Sequence, residues 1–307
     1  MREPIIIHSN HDSGVVEMKK RTIFIIATIA FLMLAIFTPL ALANYETKSS
    51  ILNKFKTLCS TYPKYANYVS IGKSVLGNDI LMFRIGNSSS SGRILWDAQM
   101  HGSEDAGSET GYLFAKWLLS SGDSRAKHML AHNWFLFVPV VNIDSYNRAN
   151  AHYVNINRNF PVGWGHSGTS TKTSAQDYRG PYAASEPETK ALINVFKTYK
   201  LKFYVNTHTF GGPIMYYHSS IPSSVMTTLK SRINAYKVTY GGTPLTDNSW
   251  IKMSGPGMAI GTSQSYGIQS FLYEIGPSNK VAPYSDISGK YYRDVRVFLI
   301  SLASMCG

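Results

Sequence analysis

Three side chains with metal-binding chemistry stand close to apolar segments of this sequence. His101 and Glu104 lie three residues apart in "QMHGSED", shortly after the apolar run "RILW", and His208 closes the run "FYVNTH". Two imidazoles and one carboxylate are the donor set of a catalytic zinc site that leaves one position open for water. A single histidine at a strand end is more often structural, so the hypothesis depends on the set of three.

A fourth candidate, Glu274, lies among apolar residues in "FLYEIG". A buried carboxylate is costly unless a positive charge or a metal-bound water receives it. A carboxylate beside such a water is a plausible general base. The alternative is a structural ion pair between Glu274 and an arginine.

Two arginines ten residues apart, Arg148 and Arg158, stand among asparagines in the segment "NIDSYNRANAHYVNINRNFPVGW". The planar guanidinium group fits a carboxylate with two parallel hydrogen bonds. Together with Asn157, these donors could bind a substrate carboxylate or a developing oxyanion. Taken singly, each arginine could equally be a surface residue or a residue whose hydrogen bonds hold the loop in place.

Apolar segments typical of strands alternate along the chain with segments whose apolar residues recur at helical spacing. Strands are predicted at 80–85, 94–98, 133–142, 201–208 and 269–276, and helices at 48–60, 109–119, 185–199, 223–240 and 290–304. In the third helix, Ser185 is the expected N-cap and Glu188 completes a capping box. This order predicts a single α/β domain with a mixed, largely parallel central sheet and helices on both faces. Ligands of such folds gather beyond the carboxyl ends of the strands, where His101, His208 and Glu274 fall together with Asn142 and Asp144.

The N-terminal region resembles a targeting segment. Cations follow Met18, an uncharged apolar run covers 22–43, and the run ends in Ala41-Leu42-Ala43. We therefore expect a signal peptide at 18–43, with an uncleaved membrane anchor as the alternative. Residues 1–17 precede a better start at Met18 and are a possible mis-assigned extension. The catalytic domain is expected at 44–307, secreted or anchored outside the membrane.

The bulk composition is basic, with a formal net charge of +12. The region after Arg21 contains no run dense in lysine and arginine, so no nucleic-acid partner is expected. The two cysteines, Cys59 and Cys306, predict a disulfide in an extracellular protein, and two separate buried thiols are the alternative. With no Cys-x-x-Cys motif, any metal ion would be held by histidine and carboxylate.

The order of these motifs resembles the zinc metallocarboxypeptidases of the carboxypeptidase A/B superfamily over most of 45–307. The most specific segments are "RANAHYVNINRNFP" and "YRGPYAASEPET". The resemblance implies one zinc ion per chain and a peptide or protein C-terminus as substrate. The implied residue roles are zinc ligation by His101, Glu104 and His208, oxyanion stabilisation by Arg148, binding of the substrate carboxylate by Asn157 and Arg158, and general base catalysis by Glu274.

Some positions depart from the digestive members of that superfamily. Ser103 replaces an arginine between the first two ligands, Phe210 replaces a tyrosine, and Ile251, beside Trp250, occupies the register of a mobile tyrosine. By the same register, Met258 or Ala259 lines the base of the side-chain pocket.

The segment from Trp250 to Tyr266 contains no Asp or Glu, and Lys252 is its only charge. We therefore expect a preference for neutral or apolar C-terminal residues, unless a carboxylate such as Asp247 enters the pocket.

Two other functions remain open at this point. A peptidase acting on peptidoglycan stem peptides would need the same metal, base and carboxylate clamp. A non-catalytic peptide-binding protein would be expected to have lost a ligand or the glutamate, and neither is lost. A serine hydrolase is disfavoured because no Gly-x-Ser-x-Gly motif occurs. The oligomeric state is left open.

Overall fold

Eight strands form one mixed sheet. The computed structural model describes residues 45–145, 148–209, 211–243, 249–277 and 282–306. Across the sheet the strand order is β1-β2-β4-β3-β5-β8-β6-β7. The strand bounds are β1 Ala66–Lys73, β2 Asp79–Gly86, β3 Gly92–Asp97, β4 Asn133–Val138, β5 Phe203–Thr209, β6 Ile214–His218, β7 Trp250–Met253 and β8 Gln269–Ile275.

Parallel pairing dominates the middle of the sheet. β3 pairs in parallel with β4 and with β5, and β5 pairs in parallel with β8. β6 and β7 are also parallel, whereas the β1–β2, β2–β4 and β6–β8 pairs are antiparallel. The predicted mixed, largely parallel sheet is therefore confirmed, and the carboxyl ends of β3, β5 and β8 lie at the same edge.

Helices pack on both faces of this sheet, as predicted. Their bounds are α1 Lys48–Thr61, α2 Ala106–Ser120, α3 Ser124–His132, α4 Pro187–Thr198, α5 Ser223–Tyr240, α6 Ala259–Gln264, α7 Tyr284–Asp286 and α8 Tyr292–Ser304. A 3₁₀ turn covers Ile156–Arg158, and a π-helical turn, Ile287–Tyr291, precedes α8. The strands β1, β6 and β7 and the helices α3, α6 and α7 were not among the predicted elements.

Alternate residues of the central strands enter two separate apolar cores. On β3, Ile94 and Trp96 pack with α1, α2 and α8, whereas Leu95 packs with α4 on the opposite face. Successive side chains of a strand point to opposite faces of a sheet. Because both faces are covered by helices, the central strands are apolar at nearly every position.

The start of α4 differs from the predicted capping box. The helix begins at Pro187 with Glu186 as N-cap, and the N-cap side chain makes no capping hydrogen bond. Ser185 Oγ instead donates to the Glu186 carboxylate at 2.5 Å. The carboxylate of Glu188 accepts from the backbone N–H of Val75 at 3.1 Å. The predicted capping box is therefore wrong, because Ser185 is not the N-cap and Glu188 binds the backbone of Val75.

The predicted disulfide between Cys59 and Cys306 is wrong for this structure, where both thiols are free and buried. Cys59 lies on α1 beside Ala66 of β1. Cys306 follows α8 and packs against Gly92 at the start of β3. Burial raises the pKa of each thiol to about 11. An even number of cysteines does not bring two thiols together, and here they contact different strands.

The predicted targeting segment at 18–43 and the extension at 1–17 lie outside the described residues. Residues Tyr45–Gly307 form one compact unit. Among the described helices, none combines the length and the apolar character needed to cross a bilayer.

Asp294, in the first turn of α8, generates a prediction about stability. Its side chain is largely buried, and burial raises the pKa of its carboxyl group from 3.8 to about 6. The folded protein therefore binds this proton at a higher pH than the unfolded chain does. The contribution of Asp294 to stability falls as pH rises from about 4 to about 6. Asp294→Asn retains an acceptor for the backbone N–H of Thr243 but does not titrate.

We expect Asp294→Asn to raise the free energy of unfolding at pH 7 by about 1–3 kcal/mol, and the gain to shrink towards pH 4. Urea denaturation at several pH values measures this difference. Asp286→Asn, at an exposed carboxylate of α7, is the control and should change stability little. A variant that is less stable than the wild type at pH 7, or a gain that is independent of pH, would contradict the prediction.

Candidate active site

The carboxyl ends of β3, β5 and β8 bring together the predicted metal ligands and the predicted base. His208 on β5 is paired directly with Glu274 on β8. His101 lies in the turn that follows β3, where the backbone N–H of Glu104 donates to the His101 carbonyl at 3.1 Å. The helix α2 begins just after this turn, so Glu104 stands at its entrance.

The two histidines and Glu104 surround one point with their potential ligand atoms. The Glu104 carboxylate lies 2.9 Å from His101 Nδ1 and 2.8 Å from His208 Nδ1. The two Nδ1 atoms are 3.2 Å apart, and the ligand atoms of the three residues all lie within 4.8 Å of one another. Two nitrogens bound to one tetrahedral zinc ion would be roughly 3.3 Å apart. The donor set therefore fits zinc.

The charges of this cluster support the same conclusion. Burial lowers the pKa of His101, so its imidazole is held neutral, as a metal ligand requires. Burial alone would raise the pKa of Glu104. The charge of His208 and the hydrogen bonds from both histidines outweigh that effect and hold the pKa of Glu104 below its usual range. Glu104 is only 3% exposed, so it is a buried carboxylate with both oxygens directed at the ligand histidines.

A cavity of about 260 Å³ opens directly over the cluster. A larger groove of about 640 Å³ lies between α1 and β1, but its lining contains neither histidine nor carboxylate. The chemistry is therefore assigned to the smaller cavity. Its lining residues are His101, Glu104, Arg148, Asn157, Arg158, His208, Thr209, Gly211, Met258, Leu272 and Glu274.

Glu274 is held in this cavity by a close backbone approach. Burial raises the pKa of its carboxyl group, and this effect outweighs the opposing charges of His208 and Arg148. The backbone N–H of Gly211 donates to the same carboxylate. A Cβ atom at Gly211 would lie 2.5 Å from Glu274 Cγ and 2.7 Å from Cδ. Only a residue without a side chain fits here without moving the glutamate.

The other wall of the cavity carries the donors predicted to bind a carboxylate. Asn157 and Arg158 lie on the 3₁₀ turn, where the Asn155 side chain accepts from the backbone N–H of Asn157 at 3.0 Å. Arg158 Nη1 donates to the Asn157 carbonyl at 2.8 Å, but its buried Nε has no hydrogen-bond partner within the described residues. Burial and the nearby charge of Arg148 lower the pKa of Arg158. Two guanidinium groups on one cavity favour an anionic ligand.

The structure separates the two residues predicted to line the pocket base. Met258 lines the cavity. Ala259 is fully buried in the core beneath it, and its backbone N–H donates to Asn157 Oδ1 at 3.2 Å. Ile251 lies on β7 and is exposed, outside the cavity lining. Phe210 and Asp247 lie outside the described residues.

Other polar residues near the strand ends have different roles. Asp144 does not reach the cavity, because its carboxylate accepts from Ser74 Oγ at 2.9 Å and from the backbone N–H of Leu76 at 2.8 Å. Conversely, Asn155 and Asn206 contact the ligand histidines and were not predicted. The available signal for Asn206 was an amide directly after the apolar residues "FYV", in a strand predicted to be buried, where a polar side chain needs a partner.

Comparison with known proteins agrees with this geometry. The sequence matches the family described as zinc carboxypeptidase over residues 51–291, which is most of the chain. The chain belongs to the zinc carboxypeptidase family. Zinc is the metal of this family, and within the described residues His101, Glu104 and His208 form a group that could hold a metal ion.

Among curated zinc carboxypeptidases, human carboxypeptidase A6 is 28% identical over 229 residues, which are 64% of this chain and 52% of that protein. Bovine carboxypeptidase A1 is 25% identical over 263 residues, 76% of this chain and 62% of that protein. This chain therefore spans about half the length of the first of these relatives.

Several solved structures share the fold. Thrombin activatable fibrinolysis inhibitor superposes with a TM-score of 0.75 at 19% identity, covering 86% of this chain and 74% of that one. The murein-tripeptide amidase of Escherichia coli O157 superposes with a TM-score of 0.52 at 20% identity, covering 76% of this chain and 92% of that one. At these identities the likeness concerns the fold alone.

The contact between Gly211 and Glu274 generates a testable prediction. Gly211→Ala would force the Glu274 carboxylate away from its position, because the new methyl group would overlap Cγ and Cδ. Misplacement of a reacting group by about 1 Å can cost on the order of 10² in rate. We expect kcat for a blocked dipeptide to fall at least about tenfold while bound zinc is retained.

Gly122→Ala is the matched control, because a Cβ atom there meets nothing within 4 Å. Zinc content and kcat are measured for both variants. Full activity of the Gly211→Ala protein would show that the position of Glu274 does not depend on this contact.

Proposed function

We propose that this protein is a secreted zinc-dependent carboxypeptidase that hydrolyses the C-terminal peptide bond of peptides or proteins. The observation that carries the proposal is a single cavity lined by a His₂Glu donor set, by Glu274 and by the guanidinium groups of Arg148 and Arg158. Family membership supports the same activity. Secretion rests on the signal-like segment at 18–43.

The two arginines give a physical reason for cleavage at the chain end. A substrate's terminal carboxylate would accept from Arg158 Nε–H, which has no hydrogen-bond partner in the part of the chain that the structure describes, with the Asn157 amide beside it. An internal segment of a peptide has no carboxylate to offer there, so the two buried donors would remain unsatisfied. Binding of the last residue at this position brings only the final peptide bond to the metal side of the cavity.

Proton transfer is assigned to Glu274. His101, Glu104 and His208 would hold the zinc ion, which would act as a Lewis acid and lower the pKa of a bound water molecule to about 7. Because burial raises its pKa, Glu274 is a stronger base than an exposed glutamate and holds an accepted proton more firmly. The same carboxyl group can then deliver that proton to the leaving amine. Arg148 lines the same cavity, and its donors stabilise the oxyanion.

Side-chain selection is assigned to Met258 and its neighbours. Met258 and Leu272 give the cavity its apolar lining, and Ala259 closes the core behind Met258. The lining carboxylates, Glu104 and Glu274, are committed to the metal and to proton transfer. A substrate with a terminal Lys or Arg would therefore bury its charge without a partner, so a neutral or apolar C-terminal residue is preferred.

The proposal is tested first by chelation and by Glu274→Gln. Chelator should abolish activity, and added Zn²⁺ should restore it. Glu274→Gln retains the shape of the side chain but not its basicity, so kcat should fall by about 10²–10⁴ while zinc remains bound. Arg148→Ala should lower kcat by about 10²–10³. The measurements are kcat for a blocked dipeptide and zinc content by atomic absorption.

Glu46→Gln is the matched control, because Glu46 pairs with Lys54 away from the cavity and its substitution should leave kcat unchanged. Full activity of metal-free protein would end the proposal. Loss of zinc from the Glu274→Gln variant would instead make Glu274 a ligand and not a base.

The second test concerns the substrate's last residue. Matched substrates ending in Phe and Leu should be cleaved with a higher kcat/KM than those ending in Lys and Arg. The discrimination should exceed the roughly 10–200-fold effect of a missing methylene. Met258→Asp places a carboxylate on the cavity wall and should shift kcat/KM towards Lys and Arg. Wild-type preference for Lys or Arg would show that the pocket lies elsewhere.

A peptidoglycan stem peptide belongs in the same panel. The murein-tripeptide amidase shares the fold, and cell-wall peptidase activity is the second candidate function. Cleavage of the stem peptide with a kcat/KM above that of every ordinary dipeptide would favour this alternative.

A further inference from the structure

We propose that the carboxylate of Asp97 determines which ring nitrogen of His208 faces the metal, and that it acts through the side-chain amide of Asn206. Asp97 ends β3 and is paired with Asn206 on β5. It lies outside the cavity lining, so its role is positioning. The inference rests on the zinc site of the proposed function and extends it to residues that touch neither metal nor substrate.

Both oxygens of the Asp97 carboxylate accept hydrogen bonds in the core. The side chain is 0% exposed. Tyr204 donates its hydroxyl hydrogen to one oxygen at 2.7 Å, and Asn206 Nδ2 donates to the other at 2.7 Å. A carboxylate only accepts, so the Asn206 amide cannot turn round without placing its own oxygen against a carboxylate oxygen.

The fixed amide in turn fixes the tautomer of His208. Asn206 Oδ1 lies 2.8 Å from His208 Nε2. An amide oxygen is only an acceptor, so Nε2 must carry the ring hydrogen. Nδ1 is then the nitrogen that faces the metal site, and it donates to the Glu104 carboxylate at 2.8 Å until a metal ion takes the place of that hydrogen. The buried carboxylate thus keeps the hydrogen on Nε2, so Nδ1 is the nitrogen that can give up its hydrogen and bind zinc.

The same tautomer has a consequence for Asn157. Asn157 Nδ2 lies 3.1 Å from His208 Nε2, but two donors cannot form a hydrogen bond with each other. The amide cannot easily flip, because its oxygen accepts from the backbone N–H of Ala259 at 3.2 Å. The Asn157 N–H groups therefore require a different acceptor, and the cavity that Asn157 lines is where a substrate carboxylate would supply one.

His101 shows the same requirement met by a different partner. Its Nε2 lies 3.2 Å from Asn155 Oδ1. The Asn155 amide is oriented by backbone groups, since Nδ2 donates to the Gln176 carbonyl at 3.0 Å and Oδ1 accepts from the backbone N–H of Asn157 at 3.0 Å. Asn155 thus needs no carboxylate behind it, whereas Asn206 is oriented by Asp97.

We call the chain of contacts from Asp97 through Asn206 to His208 the relay. The test exchanges its first two side chains. In Asp97→Asn, the new amide presents donors as well as an acceptor, so Asn206 can flip and donate to His208 Nε2. The Kd for zinc, measured on apoprotein against a chromophoric chelator, should rise about 10–100-fold. Asn206→Asp alone sets two carboxylates against each other and should also weaken zinc binding.

The double variant Asp97→Asn/Asn206→Asp restores the required polarity. The carboxylate at 206 accepts from His208 Nε2, and the amide at 97 donates to it while accepting from Tyr204. Its Kd should lie less than about tenfold above that of the wild type. Tyr204→Phe is the control, because it removes the other hydrogen bond to Asp97 and leaves the Asn206 contact. Its stability should fall while its Kd for zinc is unchanged.

A second readout does not depend on zinc. The ¹⁵N shifts of the His208 ring in histidine-labelled apoprotein report, for Nε2 and Nδ1 separately, whether the nitrogen carries a hydrogen. We expect Nε2 to carry a hydrogen in the wild type and in the double variant, and to lose it in Asp97→Asn. Wild-type zinc affinity in Asp97→Asn, or a double variant that binds no better than Asn206→Asp, would overturn the relay. A wild-type protein that bound no zinc would overturn the proposed function, and the ring tautomers would still decide the relay.

Discussion

The interaction on which the site depends is the buried carboxylate of Glu104 between two imidazoles. A carboxylate that is 3% exposed is stable only when both oxygens have partners. His101 and His208 supply them at 2.9 and 2.8 Å, and a bound cation would replace part of that interaction. The site is therefore preorganised, because the protein has already desolvated its ligands before any metal arrives.

Strand register carries this constraint into the rest of the fold. His208 and Glu274 are paired residues of β5 and β8, and Asp97 and Asn206 are paired residues of β3 and β5. A slip of one residue between parallel strands would send these side chains to the opposite face of the sheet. The two apolar cores prevent such a slip, because it would exchange the strand side chains that pack in one core with those that pack in the other. The same strand register is therefore required for the packing of the cores and for the geometry of the site.

The features that could be predicted from the sequence are those that depend on local patterns. Runs such as "NWFLFV" identify buried strands, and polar residues after them identify the edge where chemistry is placed. The contacts of Asn206 and Gly211 were not predictable, because each depends on which strand lies beside it. β6 and β7 were missed since they are only partly buried near the sheet edge and lack a strong apolar pattern. The predicted disulfide was wrong for the same reason, because an even number of cysteines says nothing about the distance between them.

At the start of α4, contacts with the loop that carries site residues replace the predicted capping box. Glu186 and Glu188 look like helix-start residues, yet both carboxylates accept from Asn150 Nδ2, at 2.7 and 3.1 Å. Asn150 Oδ1 in turn accepts from the backbone N–H of Val154 at 3.1 Å. The segment from Arg148 to Arg158 contains little regular structure, so its backbone groups need side-chain partners. Glu188, which was predicted to complete the capping box, and its neighbour Glu186 instead hold the loop that carries the arginines and Asn157.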